Sequence, residues 1–422
     1  MKICIIGAGY VGMVTGVCLA DNGNDVVFID IDEEKVNEIN KSFPPIYEDD
    51  LGEMLKRNSG RIKATTEYGP ITEADAVFVC VGTPSRKDGS INLEYVEEAI
   101  KNIGRYIGNE WKLVVIKSTV LPGTTEGFVI PFLEKLTGKK AGHDFGVSMN
   151  PEFLREGKAI HDFKHPDRIV IGVHDKKSEE LLTRLYTPFH APLFITTLTT
   201  AEMIKYSSNA LLATKISFAN EIGNFCKKLG VDTYDVMEAV GMDHRISPYF
   251  LNSGAGFGGS CFPKDVRAII SAGDERGCDT AILRSVMHVN ERQSLKMIEL
   301  LEKHTEKLDG KKISVLGLSF KAGTDDIRES RSIPVIKKLI EKNAVISAYD
   351  PLAMENMKKI FENIDYCKSA DASLKNADGC LIMTDWEEFS HLNFRLMKRP
   401  VVIDGRHIVE EKEGLIYEGI CW

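Results

Sequence analysis

Apolar residues recur along this chain with two different periods. Short apolar runs at 2–6 and 26–30 flank a helical segment, which is how a β-α-β unit begins. Strand-like runs at 76–81, 113–116, 146–149 and 168–171 follow, with helical stretches between several of them. Over roughly the first 190 residues this predicts a parallel sheet with helices on both faces. At Thr199 the period changes. Ile204, Leu211, Leu212, Ile216, Ala219, Ile222, Cys226 and Leu229 recur at three- and four-residue intervals, the mark of an amphipathic helix. Thr199 and Glu202 have capping-box spacing, no Gly or Pro interrupts before Gly223, and Gly230 stops the run. A helix over 200–229 would be about 45 Å long at 1.5 Å per residue.

Further helical stretches reach 308, broken by glycines at 254–259, and a second α/β pattern runs through 312–317, 344–350, 379–383 and 401–404. The expected architecture is α/β: two Rossmann-like parallel-sheet domains, 1–198 and 309–422, joined by a central helical domain, 199–308, with one long helix. A Lys/Asp/Gly hinge at 307–312 marks the second boundary.

Length and composition narrow the function. A chain of 422 residues is too long for one hydrophobic core, and 43% hydrophobic with 27% charged residues is ordinary for a soluble protein. No basic, apolar leader precedes the first strand, so no secretory signal is expected. No apolar run approaches the roughly 20 residues of a membrane span. The nine cysteines are scattered, with no C-x-x-C pair, which points to a reducing cytoplasm and no metal. A net charge of −9 without a dense Lys/Arg block disfavours nucleic acid.

Gly7-Ala8-Gly9-Tyr10-Val11-Gly12 follows the first strand and opens a helix, and Asp30 ends the second strand. In that context the glycines admit a pyrophosphate at the helix N-terminus. The acid binds ribose hydroxyls and repels a 2′-phosphate, favouring NAD over NADP. Val81-Gly82-Thr83-Pro84 ends a later strand and serves either as a plain turn or as a ligand loop; Ser118-Thr119 closes the next strand on the same edge. Asn150-Pro151-Glu152-Phe153-Leu154-Arg155-Glu156-Gly157 reads equally as a capping turn or as carboxylates at the ligand edge. Lys321, Arg328, Arg331 and Arg406 fall at strand ends of the last domain, as solvated charges or as a site for a phosphorylated ligand.

The segment Gly256-Phe257-Gly258-Gly259-Ser260-Cys261-Phe262-Pro263-Lys264-Asp265 sets a thiol in a glycine-rich loop. Lys264 would favour the thiolate, which can attack a carbonyl carbon and hold an acyl group. Lys205 and Asn209, four apart on the long helix, share a face and can bind an oxyanion or move a proton. The other eight cysteines mostly sit in apolar runs and read as core.

Taken together and in this order, these motifs, with Gly82-Thr83-Pro84, Ser118-Thr119-Val120 and Phe320-Lys321 before Thr324-Asp325-Asp326-Ile327-Arg328, resemble the UDP-glucose/GDP-mannose dehydrogenase family over nearly the whole chain. Pro166-Asp167-Arg168-Ile169-Val170-Ile171-Gly172 resembles its UDP-glucose branch.

The resemblance implies NAD contacts from Gly7, Gly9, Tyr10, Val11, Gly12, Asp30, Lys35, Thr83, Thr119, Glu156, Lys264 and Arg328. It implies a UDP-sugar between the domains, held by Glu152, Phe153, Leu154, Lys205, Asn209 and Arg245. Tyr249, Phe250, Leu251, Asn252, Ser253, Gly258, Phe320, Lys321 and Arg406 complete that set. Arg245 would cross a homodimer interface built largely by the long helix. The implied chemistry is a four-electron, NAD-dependent oxidation of UDP-glucose at C6 to UDP-glucuronate, through a thiohemiacetal and thioester on Cys261. Lys205 and Asn209 would stabilise O6. Water near Asp265 and Glu152 or Thr119 would release the acid, and the first proton would leave to Lys205 or to water held by Asp265. The alternatives are the same chemistry on a UDP-N-acetylhexosamine or GDP-mannose, a two-electron hydroxyacid dehydrogenase, and a non-catalytic NAD-binding redox sensor.

Overall fold

Strands covered on both faces need no polar alternation, so short runs of aliphatic residues build the sheets. In the computed structural model, which describes residues 1–422, the chain forms two compact units, 1–208 and 209–422. The first holds β1 (Lys2–Ile6), β2 (Asp25–Ile29), β3 (Ile62–Thr65), β4 (Ala76–Val79), β5 (Leu113–Ile116), β6 (Gly146–Met149), β7 (Ile169–Val173) and β8 (Leu193–Thr196). They form one sheet in the order β3-β2-β1-β4-β5-β6-β7-β8. Side chains alternate between two buried layers: Ile3, Ile5 and Phe78 enter one, Cys4, Ile6 and Val79 the other. Neighbouring strands run parallel except β6 and β7, which meet antiparallel through Ser148–Val173 and Met149–Gly172. The sheet read from the apolar pattern thus carries one reversed junction. Its two edge strands, β3 and β8, lie outside the runs seen in the sequence; β3 is half polar, and Phe194 and Ile195 of β8 are exposed.

The second unit holds β9 (Lys312–Leu316), β10 (Val345–Tyr349), β11 (Asp365–Tyr366), β12 (Gly379–Ile382), β13 (Val401–Asp404) and β14 (Ile416–Gly419). All pairs are parallel, in the order β11-β10-β9-β12-β13-β14. That order repeats β3-β2-β1-β4-β5-β6, the arrangement of a dinucleotide fold.

The long helix spans Leu198–Leu229. Its cap is Thr197, whose hydroxyl oxygen accepts from the Thr200 amide at 3.2 Å. The expected Thr199–Glu202 capping box does not form: the Thr199 hydroxyl donates to Glu126, and Glu202 is drawn away to the segment after β5. Gly172 permits the first turn to lie against β7, since a Cβ there would meet Ala201 Cβ at 2.7 Å and the Thr197 oxygen at 2.8 Å.

The two sheets differ at one acid. Asp350, after β10, is fully buried, and Oδ2 accepts from the amides of Leu318 (2.7 Å) and Ser319 (3.1 Å) and from the Trp386 indole (3.2 Å). Its Oδ1 accepts from the amides of Leu352 (2.9 Å) and Ala353 (2.8 Å). Removing such an acceptor leaves buried donors unsatisfied. Asp350→Ala should therefore destabilise the second unit by about 3 kcal/mol or more. Urea unfolding should show the loss, and the amides of Leu318 and Ser319 should exchange hydrogen faster.

Candidate active site

The first turn after β1 is shaped for a dinucleotide. Gly7 takes φ +96°, and a Cβ on Gly12 would sit 1.9 Å from the Gly7 oxygen, so the helix Tyr10–Asp21 packs directly on the turn. Gly9 is the N-cap, and a Cβ there would meet nothing within 4 Å. That open space above a helix N-terminus fits a pyrophosphate. Asp30 accepts from the Ala8 amide at 2.6 Å and the Asp32 amide at 3.0 Å, which fixes its carboxylate beside the turn. Lys35 lies on the next helix, 3.9 Å from Asp32. The loops after β4 and β5 are stitched together: the Thr83 hydroxyl donates to the Thr119 carbonyl (2.9 Å) and the Ser118 hydroxyl to the Val81 carbonyl (2.7 Å). Val11 and Glu156 are half-buried.

Lys205 and Glu152 form a buried ion pair, Nζ to Oε1 at 2.7 Å, with residue exposures of 3% and 7%. The second oxygen of Glu152 accepts from the Leu154 amide at 2.6 Å. Burial pushes the Glu152 carboxyl up. The Lys205 ammonium, the Leu154 amide and Lys117 outweigh it and hold the group below the usual carboxylate range. The Phe153 ring lies under the Arg168 guanidinium (4.0 Å) and 5.5 Å from Lys205 Nζ. Behind the pair is Lys117, a buried amine that donates to Asn150 Oδ1 at 3.0 Å. Asn150 is itself held by the Val170 carbonyl and the Tyr186 hydroxyl. Burial lowers the Lys117 amine to about 8, with Cys80 and Glu152 pulling the other way. Sequence reasoning passed over this residue; its only signal is a lysine directly after the apolar run of β5.

One turn before Lys205, Glu202 accepts from the Gly123 amide (2.6 Å) and from the amide (2.8 Å) and hydroxyl (2.6 Å) of Thr125. It thereby fixes the segment following Ser118-Thr119. Burial raises its carboxyl against those hydrogen bonds.

In the second unit, Cys261 is the N-cap residue of the helix Phe262–Glu275 and is half-buried. Seven of the other eight cysteines are buried and Cys278 is exposed. Gly256 (φ +101°) and Gly259 (φ +84°) carry the loop; a Cβ on Gly258 would meet the Glu329 oxygen at 2.4 Å, and one on Gly259 the Phe320 ring at 2.8 Å. Asn290, also missed from the sequence, grips the loop backbone at Phe257, accepting its amide at 2.8 Å and donating to its carbonyl at 3.0 Å. Asp265 is buried, and both its oxygens are engaged, Oδ1 by Lys264 Nζ and Oδ2 by Asn209 Nδ2, each at 2.6 Å. Lys264 thus pairs with Asp265 rather than standing as a lone cation beside the sulfur. The Ser260 hydroxyl lies 3.6 Å from Sγ.

The remaining expected ligands fall in several settings. Tyr249 and Asn252 are exposed, while Leu251 and Ser253 are buried. Phe250 takes φ +65° and turns its ring onto Phe262. The Ser253 carbonyl accepts from the Tyr234 hydroxyl at 2.9 Å. Arg406 donates to the Met383 carbonyl at 2.7 Å, and Lys321 Nζ lies 5.8 Å from the Phe320 ring. Arg328 holds Asp326 at 2.9 Å. Arg245 is exposed and chelates Asp243.

Three models of one family match successive parts of the chain: the NAD binding domain over residues 1–190, the central domain over 199–292 and the UDP binding domain over 314–411. The chain belongs to the UDP-glucose/GDP-mannose dehydrogenase family. In this family's terms the glycine turn and Asp30 lie in the NAD binding domain; Lys205, Asn209, Cys261 and Asp265 lie in the central domain; and Phe320, Lys321, Arg328 and Arg406 lie in the UDP binding domain.

The UDP-glucose 6-dehydrogenase AglM of Haloferax volcanii is 45% identical, with 100% of each chain covered. A solved UDP-glucose dehydrogenase from Pyrobaculum islandicum superposes with TM-score 0.95 at 42% identity, over 100% of this chain and 98% of that one. A UDP-D-ManNAc dehydrogenase from Pyrococcus horikoshii gives TM-score 0.90 at 31% identity, over 100% of this chain and 99% of that one. No helix of this family member is long and apolar enough to cross a membrane.

The depressed Lys117 amine makes stability depend on alkaline pH. Between about 8 and 10.5 the unfolded chain binds the lysine proton and the folded chain does not, so stability rises with pH across that window. Lys117→Met should flatten this slope, as measured by urea unfolding from pH 7.5 to 10.5. A slope identical to that of the parent chain would mean that the amine titrates normally.

Proposed function

We propose that this family member oxidises C6 of UDP-glucose to the carboxylate of UDP-glucuronate, a four-electron reaction using two NAD+ in succession. The observation that carries the reading is the half-buried Cys261 thiol at a helix N-terminus, in a chain with an NAD binding domain and a UDP binding domain. A dehydrogenase that stops at two electrons has no use for a nucleophile. One that must hold an aldehyde for a second oxidation does. The full-length likeness to UDP-glucose enzymes supports glucose as the sugar.

Bound NAD+ supplies the hydride acceptor for each oxidation, and the protein's own groups do the rest. Lys205, paired with Glu152, and Asn209, held by Asp265, lie one helical turn apart and stabilise negative charge at O6. The O6 proton leaves to Lys205 or to water held by Asp265. The Cys261 thiolate adds to the aldehyde carbon, forming a C–S bond and, after protonation at oxygen, a thiohemiacetal. Oxidation of that adduct gives the thioester. Water activated near Asp265, with Glu152 or Thr119, then adds to its carbon, the C–S bond breaks, and the thiol is regained as the acid departs.

Within this reading the glycine turn, Asp30, Lys35, Thr83, Thr119, Glu156, Lys264 and Arg328 serve NAD. Phe153, Leu154, the 249–253 loop, Gly258, Phe320, Lys321 and Arg406 serve the UDP-sugar, with Arg245 supplied to a partner's site. The division into domains 1–198, 199–308 and 309–422 belongs to the same proposal. So does a cytoplasmic location, which suits nine free thiols. We also assign a homodimer to the long helix, because Leu211, Phe218 and Phe225, seven residues apart, are 63%, 51% and 63% exposed along one stripe.

Three outcomes are expected. Two NADH should form per UDP-glucose consumed. Cys261→Ser should retain NAD+ and UDP-glucose binding while uronate formation falls at least a thousandfold; normal multiple-turnover output from this variant would refute the covalent role. Phe218→Glu with Phe225→Glu should sediment as a monomer, and an unchanged dimer would place the interface elsewhere.

A further inference from the structure

Between the second and third helices the chain runs without regular structure through Pro44-Pro45-Ile46-Tyr47-Glu48, and there it buries a carboxylate. Glu48 is 7% exposed. Its Oε1 accepts from the Ala159 amide at 2.6 Å, and its Oε2 accepts from the Gly157 amide at 2.8 Å and from the Tyr10 hydroxyl. The Gly157 amide also lies 2.7 Å from the Tyr10 oxygen. No lysine or arginine pairs with this carboxylate; three donors from two distant stretches of chain satisfy it.

Those two stretches are the glycine turn after β1 and the segment that carries Glu152. Tyr10 begins the helix that receives the pyrophosphate, directly after Gly9. Gly157 and Ala159 close the segment that carries Glu152, Phe153 and Glu156. The far end of that segment is fixed as well, since Glu152 takes the Leu154 amide on one oxygen and Lys205 on the other. Arg155 is held separately, with its amide 3.0 Å and its Nε 2.9 Å from Asp162. Burial, and then Glu48 itself, push the Tyr10 phenol far above its ordinary range, so it remains a hydrogen-bond donor at any working pH.

We propose that Glu48 is a positioning residue that couples the dinucleotide turn to the 152–157 segment, so that NAD+ binding at one end sets the geometry of the Glu152–Lys205 pair at the other. It acts through the Tyr10 hydroxyl and the Gly157 and Ala159 amides and touches neither cofactor nor sugar. A neutral amide at this position has one acceptor where two are needed and turns an N–H toward a backbone N–H. Glu48→Gln therefore breaks the coupling while conserving volume.

The proposal rests on the dehydrogenase reading given above, so the test separates the two. The parent chain, Glu48→Gln and Tyr10→Phe are compared by NAD+ calorimetry, by amide hydrogen exchange over 150–160 with and without NAD+, and by steady-state kinetics with UDP-glucose. In the parent, NAD+ should slow exchange at Gly157 and Ala159. In Glu48→Gln that protection should vanish, NAD+ affinity should fall about tenfold, and kcat should fall with KM for UDP-glucose within twofold. Tyr10→Phe should move the same quantities in the same direction by about threefold, and combining the two substitutions should add little. A drop in Tm with NAD+ affinity, exchange protection and kcat unchanged would overturn the coupling and leave Glu48 a structural anchor. Should Glu48→Gln fail to fold, Tyr10→Phe decides alone: unchanged NAD+ affinity and protection would overturn it. A parent chain that binds NAD+ and shows the protection but produces no NADH from UDP-glucose would instead sink the substrate assignment and leave the coupling standing.

Discussion

Three polar side chains lie on one face of the Leu198–Leu229 helix: Glu202, Lys205 and Asn209, spaced three and four residues apart and all buried. Burying such groups is costly unless each finds a partner of matched charge and geometry. Each does, in the amides after β5, in Glu152 and in Asp265. A helix rotated by one residue would lose all three partnerships together. The register of a long helix, ordinarily free to slide on an apolar face, is thereby fixed to one setting. Lys205 and Asn209 are then held one turn apart on the helix, each by a carboxylate.

The two Rossmann-like sheets show how one strand order is put to different uses. Both place an aspartate just after the second strand, Asp30 and Asp350. Asp30 holds two backbone amides and stays half-buried at the edge of the glycine turn. Asp350 is sealed, with both oxygens saturated by backbone, hydroxyl and indole donors. After β9 the chain continues Gly317-Leu318-Ser319 where the first sheet has Gly7-Ala8-Gly9. Without the later glycines the backbone cannot present open space to a pyrophosphate. The acid has become a structural staple, and the family's models accordingly match an NAD binding domain in one sheet and a UDP binding domain in the other.

Much of this was legible in the sequence because the signals are local. The apolar runs of β1, β5, β6 and β13 fall where expected, since those strands are buried on both faces. The long helix shows through its three- and four-residue period and the absence of glycine over its first 25 residues, with its start misread by two residues. Cys261, Lys205 and Asn209 stood out by residue type and spacing. The reversed β6–β7 junction left no trace, because strand direction is a property of connections rather than of composition. Strands as short as Asp365–Tyr366 carry too few residues for a period. Lys117, Glu48 and Asn290 escaped notice for a shared reason. Their partners are backbone groups or amides distant in sequence, so nothing adjacent marks them.

Asp265 has a consequence for the order of events. With Lys264 on one oxygen and Asn209 on the other, its carboxylate is held from two sides. An acid that swings could keep time in a multistep cycle by facing one group and then another. One held on both oxygens favours a single orientation, so within the proposed cycle the exchange of spent for fresh dinucleotide is what separates the two oxidations.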